Sequence, residues 1–587
     1  EVLLRNVKRL AKEKNCGFRC GEHSIDSQAY ADDLQLSALK PHQLQSLLTE
    51  IGRVATIIGL KFKPSKCATF TLIKGQPKVF PDNQRLLIQG KPMASLDNGQ
   101  PYKYLGSASG INVKNLLIEE LIETCCTMVS KVETSLLAPW QKLDAIRTFI
   151  LTKISFSQRA SFAHKGPFEK FLKCLNKALK NICYLPKRAC NAYFYSDRKC
   201  GGLGLLNPKL DHDVQSITQA LKMLTSPDTR LRSMANYQLS STIEECLGHP
   251  PTIEERLDFL SGSMEGDLSK YKIGTKFETI WTRCRHAANR LGVKFSSNSQ
   301  SEVQLRIVNR FDHSKPIGRA KVVEHLRAVA RSIKSKELFD LRDQGKFASS
   351  HVLDPNSKDS GSAWIFNGHG IRFCDWRFIH RARLNLLPLN GVTAKFTGRT
   401  TPATCRNCPD RETLPHVSQH CKKVMVSITE RHNKAALRLY NAAQCKKSWN
   451  VKDKEVPTTN ARPDLVFERV NDKGKREVTL VDVVCPFEGK VGALAEECDR
   501  KPLKYDSIAQ SYRARGIDAE VHGFAIGALG TWLVSNDAVF SRIGIPNKAR
   551  KALRQRMCTD VIAGSRDVYV EHVSGKRQWS KASKPSA

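Results

Sequence analysis

Three cysteines and one histidine form the cluster that most constrains the fold of this chain. Cys405 and Cys408 are separated by two residues, and His416 and Cys421 follow shortly afterwards. A two-residue spacer lets one turn present both thiolates, and zinc prefers four tetrahedral sulfur or imidazole ligands. The sequence therefore predicts a structural Zn²⁺ site in a loop too short to have a core of its own. His420, next to Cys421, is an alternative to His416 with a less suitable spacing.

The size and charge of the chain limit its partners. It has 587 residues, enough for several domains, and a net charge of +37. Such a basic excess favours a polyanionic partner, above all nucleic acid, although charge alone leaves an anionic membrane surface or ribosomal contacts open. The longest nearly apolar run, Val521 to Val534, is too short to span a bilayer, so no membrane partner is expected. The 19 scattered cysteines indicate a reducing, intracellular environment.

Near the start of the chain, Asp32 and Asp33 are adjacent acids between short apolar segments. Neighbouring residues on a strand point to opposite faces, so such a pair can hold metal ions only where a tight turn aims both carboxylates. Two-metal phosphoryl transfer needs this arrangement. We predict a β-hairpin with Asp32 as the direct metal ligand and Asp33 as a second ligand or support. The alternative for a bare Asp-Asp pair is a solvated turn.

A second pair of acids is predicted in the C-terminal region. Asp464 starts a strand, residues 471–474 form a hairpin turn, and Asp482 lies in the apolar strand 478–484. A carboxylate among core residues is costly unless a metal or partner compensates it. The two acids are therefore expected to converge on one divalent ion. Glu488 and Glu497 are interpreted as surface acids, and the alternative for either is that it assists the metal.

A helix predicted to begin at Pro502 would bring Lys504, or Lys501 just before it, to this metal site.

Upstream of the cysteine cluster, basic and aromatic residues alternate from Phe373 to Arg383. That pattern suits phosphate contacts and stacking on unpaired bases. The alternative, a helix with a buried aromatic face, is favoured for the aromatic residues taken alone.

The N-terminal segments resemble reverse transcriptases. The sequence Tyr30 to Asp33 resembles catalytic motif C, and residues 59–67 resemble motif D, with Lys63 where Asn is usual. The resemblance implies that Lys66 lies near the phosphates of an incoming deoxynucleoside triphosphate, the alternative being a solvated lysine. Tyr104-Leu105-Gly106 resembles motif E, which implies that Tyr104 and Gly106 grip the primer.

The C-terminal segments are similar to restriction-enzyme-like nucleases, whose signature is Pro-Asp, then an acid, then Lys. Val484 stands where that Lys is usual, but Lys501, Lys504 and Tyr505 match the Lys-x-x-Lys-Tyr pattern of related retrotransposon nucleases. The resemblance implies Mg²⁺ or Mn²⁺ at both acidic sites. It also supports nucleic-acid contacts by Arg381 and Arg383, because the segment before the cysteine cluster resembles the linker element of those proteins.

All three motif groups occur in the order found in site-specific, type-1 non-long-terminal-repeat retrotransposon proteins that insert into ribosomal RNA genes. The resemblance implies target-primed reverse transcription in the nucleus, with target DNA and the element's RNA as partners. The expected fold is multidomain α+β: a reverse-transcriptase palm remnant (1–110), a helical thumb (111–210), a helical basic linker (211–370), an aromatic and basic element with a CCHC zinc knuckle (371–425) and a restriction-like α/β endonuclease (426–587).

We also expect the chain to be a C-terminal fragment, because about 30 residues before Tyr30 cannot contain the fingers and the further palm Asp that polymerisation needs. Two other interpretations stay open at this point. One is a catalytically dead nucleic-acid-binding relic of such an element, against which the intact acids argue. The other is a stand-alone nuclease, which leaves the polymerase motifs unexplained.

Overall fold

The fold is described from a computed structural model. It covers residues 2–113, 116–160, 165–263, 268, 278–297, 303–307, 317–352, 357–396, 402–444, 450–452, 462–471 and 474–578. The chain divides into two compact units. The first comprises residues 1–127, 151–173 and 207–330, and the second comprises residues 128–150, 174–206 and 331–587. Asp472 and Lys473 of the predicted hairpin turn lie outside the described residues.

The first unit begins with two helices and a series of short β-ladders. The helix Pro41–Ile57 has a proline in its first turn and an apolar stripe along one face. It buries Leu47, Leu48 and Ile51 against the first helix. The helices and 3₁₀ turns here are Val2–Glu13, Pro41–Ile57, Pro64–Lys66 and Asp82–Gln84. The strands are Phe18–Cys20, His23–Ile25, Ser27–Tyr30, Asp33–Leu36, Ala68–Thr69, Thr71–Ile73, Gln76–Lys78, Leu87–Ile88, Lys91–Pro92, Ala94–Ser95, Tyr102–Tyr104 and Ser107–Ser109.

The rest of the first unit is mainly helical. Side chains of Asn207, Asp228 and Thr252 cap successive helices by accepting backbone N–H groups. A two-stranded hairpin, Val293–Ser297 with Val303–Ile307, was not predicted. The helices are Leu151–Ala160, Pro208–Leu224, Thr229–Leu247, Ile253–Leu260 and Ile280–Leu291; Leu116–Thr134, Gly166–Ile182 and Val322–Phe339 each run from one unit into the other.

The second unit contains the longest helices of the described chain. Its helical segments are Pro139–Ala145, Ile146–Ile150 (π-helical), Ala192–Tyr195, Arg198–Cys200, Lys346–Val352, Asp359–Ser362, Trp364–Asn367, Phe373–Arg383, Asn390–Thr393, Leu414–Gln419, Lys422–Val424, Met425–Gln444, Ala493–Arg513, Asn536–Arg542 and Asn547–Ser574. Two short strands, Ser357–Lys358 and Trp532–Leu533, pair with each other.

A four-stranded sheet forms the core of the C-terminal region. Its strands are Asn450–Lys452, Leu465–Val470, Arg476–Val484 and Asp518–Ala525, in that order; the first three are antiparallel and the last is parallel to its neighbour. Alternate side chains of a strand point to opposite faces. Val481 and Val483 therefore pack on the face that holds Leu439 and Met557, while Leu480 packs on the other face with residues of the helix Ala493–Arg513.

Among the described residues, no helix combines the length and the apolar character needed to cross a lipid bilayer.

Candidate functional site

The register of the sheet brings the two predicted nuclease acids together. Leu465 pairs with Val481 in an antiparallel ladder, so Asp464, just before Leu465, lies beside Asp482, just after Val481. Asp482 points to the face that carries the helix Ala493–Arg513, because it alternates with the core residues on either side. Only 5% of Asp482 is exposed. A buried carboxylate in this position needs cationic or hydrogen-bonding partners.

Asp482 finds both kinds of partner on the helix Ala493–Arg513. The Lys501 ammonium lies 2.7 Å from Oδ2, and the Tyr505 hydroxyl donates to Oδ1 over 2.9 Å. Lys504 reaches the Tyr505 hydroxyl at 2.9 Å. Burial, followed by the charge of Asp482, raises the pKa of Tyr505, which keeps the hydroxyl protonated as a donor. Four residues that the sequence proposed for one nuclease site are thus in contact.

The prediction that the helix begins at Pro502 was wrong. The helix begins at Ala493 and Pro502 lies inside it. The sequence rule failed because proline is common in the first turn of a helix, whereas here it lies inside a long helix and removes one backbone hydrogen bond without ending the helix. Lys501, Lys504 and Tyr505 are therefore mid-helix residues.

Asp464 has a partner that the sequence did not predict. His432, on the helix Met425–Gln444, places Nε2 3.1 Å from Oδ2 of Asp464 and 2.7 Å from the carbonyl oxygen of Val483. The hydrogen bond with Asp464 raises the pKa of His432 to about 9, in spite of burial. Burial alone would raise the pKa of Asp464, but the bond to His432 and its charge lower it. His432 lies far upstream of the Pro-Asp motif, and no sequence spacing pointed to it.

The predicted cysteine and histidine ligands form one cluster. Ligand atoms of Cys405, Cys408, His416 and Cys421 all lie within 4.8 Å of one another. Cys405 stands in a tight loop, in which its backbone N–H donates to the carbonyl of Asp410, and His416 lies in the first turn of the helix Leu414–Gln419. These four residues could hold a metal ion. His420 is exposed and stands outside the cluster.

A buried hydrogen bond next to this cluster was also missed. Nε2 of His572, near the end of the helix Asn547–Ser574, lies 2.9 Å from Oε1 of Glu412, and both side chains are fully buried. The same Nε2 is 3.7 Å from Sγ of Cys405. Burial works against ionisation of Glu412, yet hydrogen bonds from Arg406, the Asn390 backbone and His572 lower its pKa to about 2. The C-terminal helix is therefore held against the cysteine cluster.

The predicted polymerase residues share one cleft within the first unit. Tyr30 pairs with Asp33 across a hairpin whose turn is Ala31-Asp32, and Ala31 takes a left-handed conformation with φ of 52°. The predicted turn for the acid pair is confirmed. The cleft has a volume of about 2300 Å³, and its lining includes all five residues assigned to this centre: Asp32, Asp33, Lys66, Tyr104 and Gly106.

The segment predicted to contact the primer forms the second hairpin at this cleft. Tyr104 pairs with Ser107 around the turn Leu105-Gly106, in which both residues have positive φ. Burial, and after it the charge of Asp33, raises the pKa of the Tyr104 hydroxyl. Lys66 is exposed at the end of the turn Pro64–Lys66, and its carbonyl accepts a 2.5 Å hydrogen bond from Tyr102. The acids and the Tyr104–Ser107 hairpin are thus close in space.

The placement of Arg383 does not suit the nucleic-acid contact predicted for it. Only 3% of Arg383 is exposed, and its guanidinium donates to the carbonyls of Gly201, Gly361 and Leu529 and to the Ser362 hydroxyl. It therefore connects distant segments of the second unit. Arg381 is half-buried and donates to the carbonyl of Tyr184.

The alternative interpretation of the aromatic segment is confirmed. Trp376, Phe378 and His380 on the helix Phe373–Arg383 are buried, while Phe373 is exposed.

The interpretation of Glu488 as a surface acid was wrong. Glu488 is fully buried. Its carboxylate accepts the backbone N–H groups of Leu529 and Thr531, and these hydrogen bonds compensate for its loss of water.

No protein-family profile matches the chain. It is 21% identical to the retrovirus-related Pol polyprotein from the type-1 retrotransposable element R2 of Popillia japonica, over 89% of this chain and 93% of that protein. It is 28% identical to the retrovirus-related Pol polyprotein from the type-2 retrotransposable element R2DM of Drosophila melanogaster, over 90% of this chain and 43% of that polyprotein. An uncharacterized protein of Caenorhabditis elegans is 25% identical over 56% of this chain.

About nine tenths of the chain is thus similar to Pol polyproteins of R2 retrotransposable elements, which supports an R2-type non-long-terminal-repeat retrotransposon protein.

Proposed function

We propose that this protein nicks DNA at a divalent-metal centre built on Asp464 and Asp482, as one step of target-primed reverse transcription. The observation that carries the proposal is the contact of Lys501 and Tyr505 with a buried Asp482 that lies beside Asp464. Carboxylate oxygens are the ligands that Mg²⁺ and Mn²⁺ prefer, so this donor set fits either ion.

The side chains around these acids have separate tasks in this proposal. A bound divalent ion would polarise the phosphate and lower the pKa of attacking water. Lys501 neutralises charge beside the scissile phosphate, and Lys504 adds a second cation one helical turn away. Tyr505 fixes the orientation of Asp482 through its hydroxyl. Because this cluster is preorganised, little reorganisation is needed as charge develops during cleavage.

The cysteine cluster is proposed to hold Zn²⁺ as a structural ion. Three thiolates and one imidazole are the donors that zinc prefers, and four protein ligands leave no position open for catalysis. We propose that the resulting knuckle helps to bind target DNA. The large positive charge supports contact with long phosphate backbones.

The cleft with Asp32 and Asp33 is proposed to contribute to RNA-directed DNA synthesis. In that function Asp32 is the metal ligand, Lys66 contacts the phosphates of a deoxynucleoside triphosphate, and Tyr104 and Gly106 contact the primer. The template would be the element's RNA, and the primer would be the nicked DNA of a ribosomal RNA gene. Such a target places the protein in the nucleus.

The domain limits given above are part of the same proposal: polymerase palm to residue 110, thumb to 210, linker to 370, knuckle region to 425 and nuclease to 587.

Nicking of supercoiled plasmid tests the nuclease assignment. With Mg²⁺, the wild-type chain and the control Asp499→Asn, an exposed acid on the same helix, should convert the plasmid to nicked circles. Asp482→Asn should be slower by at least ~10²-fold, because it loses a charge that preorganises the centre. Equal nicking by all three would refute the site. Tight DNA binding without nicking by the wild-type chain would favour the nucleic-acid-binding relic instead.

A further inference from the structure

His432 is the one polar neighbour of the nuclease acids, within the described chain, that the proposed function leaves without a task. Its Nε2 faces two acceptors, Oδ2 of Asp464 at 3.1 Å and the carbonyl oxygen of Val483 at 2.7 Å. Since neither acceptor carries a proton, Nε2 must carry one. The imidazole is therefore a hydrogen-bond donor to the carboxylate and to the strand that follows Asp482.

A second donor fixes the same oxygen of Asp464. The backbone N–H of Val483 donates to Oδ2 over 2.7 Å. With His432 and Val483 both on Oδ2, the carboxylate cannot rotate without breaking two hydrogen bonds. Among the described residues no protein donor contacts Oδ1, so this oxygen is available for a cation.

We propose that His432 is a positioning residue of the nuclease centre, which orients Asp464 so that its Oδ1 can share a divalent cation with Asp482. The inference rests on the proposed function, because it assigns a task within that centre. Hydrogen-bond partners behind a metal ligand typically change metal affinity about 10–100-fold when they are removed. His432 reaches Asp464 from the helix Met425–Gln444, whereas Lys501 and Tyr505 reach Asp482 from the helix Ala493–Arg513. The two acids are thus supported independently.

Three variants of the zinc-loaded chain separate positioning from folding. His432→Leu removes the donor, and His432→Gln retains an N–H group near the position of Nε2. His522→Leu is the matched control, since His522 is similarly exposed, at 23% against 28%, and pairs with Glu520 on the same sheet. Thermal unfolding of each variant reports any general loss of structure.

The readouts are the Mn²⁺ concentration at half-maximal nicking and direct Mn²⁺ binding followed by electron paramagnetic resonance. Asp482→Asn provides the blank that isolates binding at this centre. His432→Leu should raise the half-maximal Mn²⁺ concentration at least about tenfold, while His432→Gln stays within about threefold and His522→Leu is unchanged.

An unchanged Mn²⁺ dependence in His432→Leu, with nicking still abolished by Asp482→Asn, would overturn this inference and leave the proposed function intact. Unimpaired nicking by Asp482→Asn would overturn the proposed function itself. If His432→Leu fails to fold, His432→Phe replaces it as the variant without the donor. A raised half-maximal Mn²⁺ concentration at an unchanged melting temperature then supports positioning, and an unchanged Mn²⁺ dependence contradicts it.

Discussion

Gly523 lies directly against the carbonyl oxygen of Cys498, so close that a Cβ on Gly523 would be 2.1 Å from that oxygen. Cys498 is the residue whose carbonyl Pro502, four positions later, cannot reach, because proline has no backbone N–H. The strand Asp518–Ala525 therefore approaches the helix Ala493–Arg513 where proline interrupts its hydrogen bonding. The helix that carries Lys501 and Tyr505 is positioned in part by a glycine on the neighbouring strand.

The substitution Gly523→Ala should destabilise the second unit. The added methyl group would meet backbone rather than a flexible side chain, so the helix must move away from the strand. Overpacking of this kind costs about 1–3 kcal/mol. Chemical denaturation of the full chain measures the change, and Gly489→Ala is the control because its Cβ would meet only a Phe487 ring at 3.4 Å. Equal stability of the two variants would show that the close approach is unimportant.

Replacing Lys501 by Met should slow nicking by about 10²–10³-fold, since the centre loses a preorganised cation beside Asp482. The methylene stem is retained, so packing of the helix changes little. The rate is measured under single-turnover conditions with Mg²⁺. Lys490→Met is the control, because Lys490 forms an exposed ion pair with Glu496. A rate close to the wild-type value for Lys501→Met would contradict the role assigned to this lysine.

Removal of metal from the cysteine cluster should loosen the end of the C-terminal helix. Nε2 of His572 contacts both Glu412 and Sγ of Cys405, and metal binding and folding are coupled at such sites. Hydrogen exchange after chelation should increase in the last two turns before Ser574. The same region should exchange faster in Cys408→Ser but not in Cys374→Ser, a free cysteine elsewhere in the second unit. If chelation leaves hydrogen exchange in these turns unchanged, the metal does not stabilise the end of this helix.

Arg383→Met should unfold the second unit more readily without a specific effect on DNA affinity. Carbonyls of Gly201 and Leu529 lose a charged donor, and buried acceptors without partners cost about 1–3 kcal/mol each. Thermal unfolding and salt-dependent DNA binding are measured on the same protein. A variant with wild-type stability and weakened DNA binding would restore the role in nucleic-acid contact that the sequence suggested.

The sequence predicted local contacts better than contacts between distant segments. The Asp32-Asp33 hairpin was predictable because two acids between apolar segments can share a face only in a tight turn. The cysteine cluster was predictable because its spacing matches the geometry of a metal ion. Asp482 stood out as a charge within an apolar strand.

The partners of these residues could not be predicted in the same way. His432 and His572 each reach their carboxylates from a separate helix, and no local pattern encodes such tertiary contacts. Arg383 resembled a surface arginine because its acceptors are backbone carbonyls, which have no signature in the sequence. Glu488 resembled a surface acid because its donors are backbone N–H groups, which also have no signature in the sequence.

The proposed nuclease centre depends on one divalent ion shared by Asp464 and Asp482, and iron-directed cleavage of the chain detects an ion at this position directly. Fe²⁺ replaces Mg²⁺ in the zinc-loaded protein, and peroxide with ascorbate then cuts the backbone near the bound iron. We expect cuts close to both Asp464 and Asp482 that are competed by Mg²⁺ and absent from Asp482→Asn. Cleavage at neither segment, or cleavage unaffected by Asp482→Asn, would contradict a shared metal centre.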